Sequence, residues 1–205
     1  DYTFGHEQCA GFAQVFTEGG GEIVAQLWNP LNTADFSPYI GQLASANVDA
    51  VFAMELGADA SRFIKQYSDF GLAGQLPLLG AQNFTDQSVI RTLGPECEGI
   101  VSSAHFAEGS DNPATQTFVT AYKAKYGKLP DQFAALAYDA AGVGVAAIRR
   151  VVKSGKPLTG EAVRNELANG PAYEGVTGTT KYENGNVKKA PTFITVRNGE
   201  FALFQ

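Results

Sequence analysis

The sequence is poor in the residues that carry covalent and metal chemistry. Its 205 residues include two cysteines, Cys9 and Cys97, and two histidines, His6 and His105. The cysteines have no CxxC spacing, and a closed zinc site takes four ligands, so this inventory argues against a metal centre. One disulfide is arithmetically open in an oxidising compartment. A chain of this length has core enough to fold without it, and both thiols are expected to be free. No stretch reaches the roughly 20 apolar residues that span a bilayer. The first residues show neither the basic segment nor the apolar run of a leader, so the expectation is a cytosolic protein or one whose leader has been removed.

Positive charge is also sparse, with 15 Lys and Arg against 21 Asp and Glu and a net charge of −6. The cations are scattered except for Arg149, Arg150 and Lys153, with Lys156 beside them. Nucleic-acid binding has no footprint here. The small cluster reads as a solvated last helical turn, where cations complement the helix dipole. Signature motifs of catalysis are missing as well: there is no GxSxG elbow, HExxH pair, Walker loop or kinase set. "GVGVAA" at 142–147 lacks the third glycine of a dinucleotide fingerprint and falls mid-helix, where small residues permit close packing. "NFT" at 83–85 matches a glycosylation acceptor by chance frequency. The expectation is therefore a protein that is not an enzyme and takes no cofactor and no metal.

What remains is an ordinary globular composition, 44% hydrophobic and 18% charged, in a chain long enough for one large or two small domains. The first hundred residues alternate helix and strand. "DYTFGHE" reads as a loop leading into a helix from His6 to 18, stopped by Gly19-Gly20-Gly21. Glu22 to Leu27 reads as a strand. Ser37-Pro38 reads as an N-cap and first helical residue. "VDAVFAM", "LPLLGAQ" and "GIVSSAHFA" are short apolar runs of the kind buried in parallel sheets. The helices "LGADASRFIKQYSDFGL" and "DQSVIRTLG" lie between them, with Gly71-Leu72 as a Schellman stop.

From residue 108 the character changes. Asn112-Pro113 starts a helix that ends near Gly127, and the segment from Pro130 to Gly155 is apolar around most of a helical circumference, which predicts burial on nearly all sides. Thr159 to Asn169 is a further helix. "YEGVTGTTKYENGNVKK" and "APTFITVRNGEFALFQ" each read as a hairpin, turning at Asn184-Gly185 and Asn198-Gly199.

This alternation predicts an α/β fold with a parallel sheet and right-handed crossovers. Ligands of such sheets meet the loops at strand carboxyl ends, here 28–37, 54–59 and 80–86 with the opening segment. Asp35 and Asp59 sit where helix N-termini favour acidic residues. Glu55 directly follows an apolar strand, where an unpaired carboxylate is costly, and is the stronger functional candidate.

Taken together, "DYTFGHE", "PLNTADFSPYI", "DAVFA", "GADA", "FIKQY", "AEGSDNPATQTFVTAYKAKYGKLPDQFAALAYDAA", "GVTG" and "YENG" run collinearly along nearly the whole chain. As a set they resemble the branched-chain amino acid type of periplasmic solute-binding protein. The resemblance implies the class I periplasmic-binding fold: two α/β lobes joined by three crossovers, a small-molecule ligand held between them, and delivery to the membrane permease of an ABC importer. It implies an extracytoplasmic location. Residues 1–107 and 188–205 would be a C-terminal lobe, a three-layer parallel-sheet unit lacking its first strand, and 108–187 part of an N-terminal lobe with helices and a short hairpin. The rest of the N-terminal lobe would be missing. A chain complete as it stands would then leave apolar faces of 112–153 uncovered and would associate with that missing segment or with itself.

By the same resemblance Phe4 falls at an aromatic wall of the ligand site, and Leu56 and Gly57 at a loop that carries a second aromatic residue. Gln82 falls where the family places a glutamate against the ligand ammonium, with Asn83 beside it. A neutral amide offsets a buried ammonium poorly. Either Glu55 takes over, or the ligand has no ammonium; related proteins take aromatic acids, amides or urea-like solutes. His6 could reach a ligand carboxylate but fits a first-turn surface histidine better. His105 and Phe106 fall at a hinge, where packing is the expected role. Cys9 and Cys97 are expected at opposite ends of the lobe, too far apart for a disulfide. The function expected is capture of a small hydrophobic amino acid or a related carboxylate or aromatic solute for an importer. The alternative is a sensor or receptor domain of the same fold that reads an amide or aromatic acid.

Overall fold

A computed structural model of the chain describes residues 1–82 and 84–204. Two compact units form, one from Asp1–Ala104 with Phe193–Gln205 and the other from His105–Thr192.

The first unit is built on short strands that read as apolar runs in the sequence. Strands β1 (Val51–Ala53), β2 (Leu78–Gly80) and β3 (Val101–Ala104) lie side by side, and β1–β2 and β2–β3 are parallel. Helix α1 (Thr3–Glu18) and helix α2 (Ser37–Ser45) precede β1. Helix α3 (Gly57–Asp69) crosses from β1 to β2. Helix α4 (Gln87–Leu93) and a 3-10 turn at Gly94–Cys97 cross from β2 to β3. The sheet is completed from the far end of the sequence by β7 (Thr192–Arg197) beside β3 and by antiparallel β8 (Glu200–Leu203). The Gly99 N–H donates to the Val196 carbonyl at 3.0 Å where the returning chain docks.

Helix ends follow local chemistry. The Leu72 N–H donates to the Tyr67 carbonyl and the Gly71 N–H to the Ser68 carbonyl, with Gly71 at φ 77°, which completes the Schellman stop. Asp86 caps α4 through the N–H groups of Ser88 and Val89. The core unites Ile40 of α2, Phe63, Ile64 and Tyr67 of α3, Val89 and Ile90 of α4 with strand residues Val51, Leu78 and Val196.

Three expectations need correction here. Glu22 to Leu27 forms no strand and pairs with none among the described residues, so its apolar pattern leaves it outside the sheet, whose edge strand on that side is β1. Helix α1 begins at Thr3 rather than His6, because Tyr2 is the extended residue before it and the His6 N–H already donates to the Tyr2 carbonyl. Ser37 is the first helical residue of α2 and not its cap; the Asp35 carboxylate accepts the Ser37 N–H at 2.9 Å instead.

The second unit carries helix α5 (Pro113–Tyr126), capped by the Asn112 side chain and closed by left-handed Gly127. It continues with α6 (Gln132–Lys153) and α7 (Gly160–Asn169), capped by Asp131 and Thr159. The final hairpin expected for this region is a three-stranded antiparallel sheet, β4 (Tyr173–Gly175), β5 (Gly178–Glu183) and β6 (Asn186–Lys188). Asn184 and Gly185 both take positive φ at the β5–β6 turn, as the Asn-Gly signal requires. Helix α6 is not buried on all sides. Ala135, Asp139, Val143, Ala147 and Val151, four apart, form one buried stripe, while Phe133, Tyr138, Val145, Ile148 and Val152 are exposed. Apolar composition does not decide how many faces of a helix find partners.

Candidate functional site

The site grows from the carboxyl end of β1. After Ala53 the chain passes through Met54, Glu55 and extended Leu56, then turns into α3 at Gly57, whose φ is +51°. Facing this turn is the loop 30–36, held by one face of α3. Asp59 Oδ2 accepts the Asn32 N–H at 2.8 Å, with Asn32 itself at φ 63°. The Arg62 guanidinium pairs with Asp59 and donates from Nε to the Thr33 carbonyl at 2.9 Å. Gln66 donates to the Ala34 carbonyl and accepts the Phe36 N–H at 2.7 Å. Positions 59, 62 and 66 share a helical face, so a single stripe of polar residues fixes the loop. At the end of β2, Gly80 leaves room for the ring of Phe84, which a Cβ at position 80 would strike.

These elements enclose a hollow of about 230 Å³ lined by Tyr2, Leu31, Asn32, Glu55, Leu56, Ala58 and Asp59. Of its two carboxylates, Asp59 is buried and fully engaged by Arg62 and the Asn32 N–H. Glu55 makes no ion pair among the described residues and takes a hydrogen bond from the Asn29 side chain. Burial, reinforced by the negative charge of Asp59, pushes the Glu55 carboxyl up to about 7. The Tyr2 hydroxyl is enclosed and without a hydrogen-bond partner among the described residues. Burial, with the nearby Glu55 charge, raises its pKa.

Of the residues expected from sequence, Glu55 and Leu56 line this hollow, and Gly57 adjoins it as the turn into α3. Phe4 does not line it; it is half-buried in the first turn of α1, its ring 6.2 Å from that of Tyr2. Gln82 is half-buried just after β2, and Asn83 lies outside the described residues. His6 is turned to other partners, its Nε2 2.7 Å from the Asp1 carboxylate and its ring 4.0 Å from that of Trp28. Tyr2, Leu31, Asn32 and Ala58 were not singled out by sequence. All four nonetheless lie in the segments expected at the ligand edge, the opening residues, 28–37 and 54–59, and Asn32, a residue that tolerates positive φ, is the one with a local signal of its own.

His105 and Phe106 open the second unit. Phe106 is buried against Phe118 in an edge-on contact at 6.1 Å and belongs to that unit's core. His105 is half-buried, and burial together with the nearby Lys189 charge lowers its pKa. This unit also has a hollow, lined by Thr179, Lys181 and Val187 through Ala190. Its cations are already matched: Lys181 and Lys188 pair with Glu183 at 3.4 and 2.8 Å, and Lys189 stands 3.7 Å from Asp139. No group of three or more potential metal ligands occurs among the described residues, and no described helix is long and apolar enough to cross a membrane. The hollow at β1 is therefore the better site.

A parallel sheet with loops and a desolvated carboxylate at its strand ends fits many ligand-binding folds, and similarity separates them. The family model described as periplasmic binding protein matches residues 1–200. The chain belongs to the periplasmic binding protein family. Among relatives, Leu/Ile/Val-binding protein homolog 6 of Brucella abortus (strain 2308) is 32% identical over 121 residues, covering 58% of this chain and 31% of that protein. Among solved structures, an ABC transporter solute binding protein from R. palustris in complex with benzoate aligns with a TM-score of 0.86 at 28% identity. That alignment covers 99% of this chain and 55% of that one. A leucine binding protein from Thermotoga maritima MSB8 aligns at 0.83 and 26% identity, over 96% of this chain and 55% of that one. The fold is that of the class I periplasmic-binding proteins, and the chain spans about half the length of these solved members.

Proposed function

We propose that the protein captures a small solute outside the cytoplasm and delivers it to the membrane permease of an ABC importer. The observation that carries this reading is the hollow at the end of β1, where Leu31, Leu56 and Ala58 share the lining with a carboxylate, Glu55, that makes no ion pair among the described residues. Such a site suits a solute with a small apolar body and one polar end, a hydrophobic amino acid or a small aromatic carboxylate. Binding without covalent chemistry suffices for that task. In this reading Glu55 and Leu56 meet the solute from the hollow's lining, Gly57 shapes the turn beside it, and Phe4 and Gln82 are solute contacts from beyond that lining. His105 and Phe106 mark one passage of the chain between lobes. No catalytic role is assigned to any residue.

The test is a thermal-shift and calorimetric panel of leucine, isoleucine, benzoate and 4-hydroxybenzoate on the full-length protein. Stabilisation by at least one solute at micromolar concentration is expected. A protein that responds to none of the panel is not a solute-binding protein of this kind.

A further inference from the structure

We propose that Asn184 is a modification site, at which the chain converts its own asparagine to aspartate and isoaspartate, and that the isoaspartate product releases strand β6.

A glycine has no Cβ to shield its nitrogen, so that nitrogen can reach the carboxamide of a preceding asparagine. The chain has three Asn-Gly pairs, at 169–170, 184–185 and 198–199. The fold protects two of them. Asn169 ends α7, where the Gly170 N–H donates to the Glu166 carbonyl at 3.0 Å and the Asn169 side chain to the Asn165 carbonyl at 3.2 Å. A Cβ at Gly170 would strike that Glu166 carbonyl and the Arg150 guanidinium, so the pair is also crowded. The Gly199 N–H donates to a Glu98 carboxylate oxygen at 3.4 Å, and this negative charge opposes loss of the proton from the attacking nitrogen.

The β5–β6 turn offers no such protection. Asn184 and Gly185 are both exposed, and neither the Asn184 side chain nor the Gly185 N–H has a hydrogen-bond partner among the described residues. No atom comes within 4 Å of where a Gly185 Cβ would sit. Glu183, just before the pair, faces two ammonium groups, Lys181 at 3.4 Å and Lys188 at 2.8 Å, so the base of the turn carries net positive charge. That sign favours loss of the Gly185 proton.

The Gly185 nitrogen gives its proton to solvent base and bonds to the Asn184 Cγ. The carboxamide C–N bond breaks, and ammonia leaves as a succinimide ring closes. Water then opens the ring by breaking one of its two C–N bonds; one cleavage gives aspartate, the other isoaspartate. No electrons are exchanged, and water is the sole co-reactant. Isoaspartate adds a methylene to the main chain of a two-residue loop, whose length sets the pairings of Glu183 with Asn186, Tyr182 with Val187 and Lys181 with Lys188. All three residues of β6 are exposed, so burial does little to hold the strand once that register is lost.

The test holds the full chain at pH 6 and pH 8, folded and in urea, and follows all three pairs by peptide mapping that separates aspartate from isoaspartate. In the folded protein Asn184 is expected to convert about tenfold faster than Asn169 and Asn198, each of which must first break a hydrogen bond. Its rate is expected to be higher at pH 8 than at pH 6. In urea the three rates are expected to converge. Amide exchange of the isoaspartate fraction is expected to show protection lost at Val187 and Lys188, whereas Asn184→Asp, which brings the charge without the methylene, keeps it. Conversion of Asn169 or Asn198 as fast as Asn184 in the folded protein overturns the site, as does an Asn184 that reacts only in urea. Protection of β6 unchanged in the isoaspartate fraction overturns its release.

Discussion

The carboxylate of Asp139 on α6 accepts the Val176 N–H at 2.8 Å, tying a buried helical face to the turn between β4 and β5. Its other oxygen accepts the Thr177 N–H at 2.8 Å and the Thr177 hydroxyl, with the Lys189 ammonium 3.7 Å away. Gly175 has no side chain because a Cβ there would meet this carboxylate.

Removing that carboxylate strands the buried Val176 N–H, the part-buried Thr177 N–H and an ammonium whose pKa burial already lowers. Asp139→Ala is expected to destabilise the protein by about 3 kcal/mol or more. Asp139→Asn, which keeps one acceptor, should cost less. Equilibrium unfolding in urea measures both, and an unchanged midpoint for Asp139→Ala would remove the clamp from the account.

The two glycines of "GVG" in α6 are expected to respond with opposite signs. A Cβ at Gly142 would collide with the hydroxyl of Tyr173, whereas one at Gly144 meets nothing within 4 Å. Gly144→Ala should stabilise by about 1 kcal/mol through helix propensity. Gly142→Ala should cost about 1–3 kcal/mol through overpacking. Thermal unfolding of the two variants side by side decides it; equal shifts contradict the packing role.

Glu55 should make the unliganded protein less stable as pH rises. Its folded-state carboxyl titrates at about 7, above the ordinary 4.5, so the folded state holds the proton more tightly between those values. Stability is full below pH 4.5, falls through the window and levels off above 7. Glu55→Gln should match wild type at pH 4 and exceed it in unfolding temperature at pH 8. A variant less stable than wild type at pH 8 would contradict the desolvation argument.

The two free thiols should differ in reactivity. Cys97 is fully buried, and burial with the neighbouring Glu96 charge pushes its thiol up to about 12. Cys9 is only partly buried, its pKa raised by burial and then by Glu55. A disulfide reagent at pH 8 should modify Cys9 slowly and Cys97 only after denaturation. Two equally fast thiols would show the 3-10 turn at Cys97 to be open.

Local signals were the legible ones. The Gly71-Leu72 stop, the Asn112-Pro113 start and the Asn-Gly turns at 184 and 198 each need only a few neighbouring residues, and each forms as read. Glu55 and Leu56 were legible because a carboxylate directly after a buried strand stands out. The 22–27 segment misled because a strand exists only with a partner. Tyr2 and Asn32 were legible only as members of the opening segment and the 28–37 loop, because the hollow brings them to residues far along the chain. The Asn32 N–H meets Asp59 27 positions away, and the Phe36 N–H meets Gln66 30 positions away. No window of sequence displays such pairings.

The sheet of the first unit is finished by the last strands of the chain. Until β7 and β8 leave the ribosome, β3 waits with one row of backbone donors and acceptors open, while the whole second unit is made in the interval. An open edge is a template for the wrong strand. A nascent chain stalled before Phe193 is therefore the form most exposed to misassembly, and the form for which a chaperone has the most to cover.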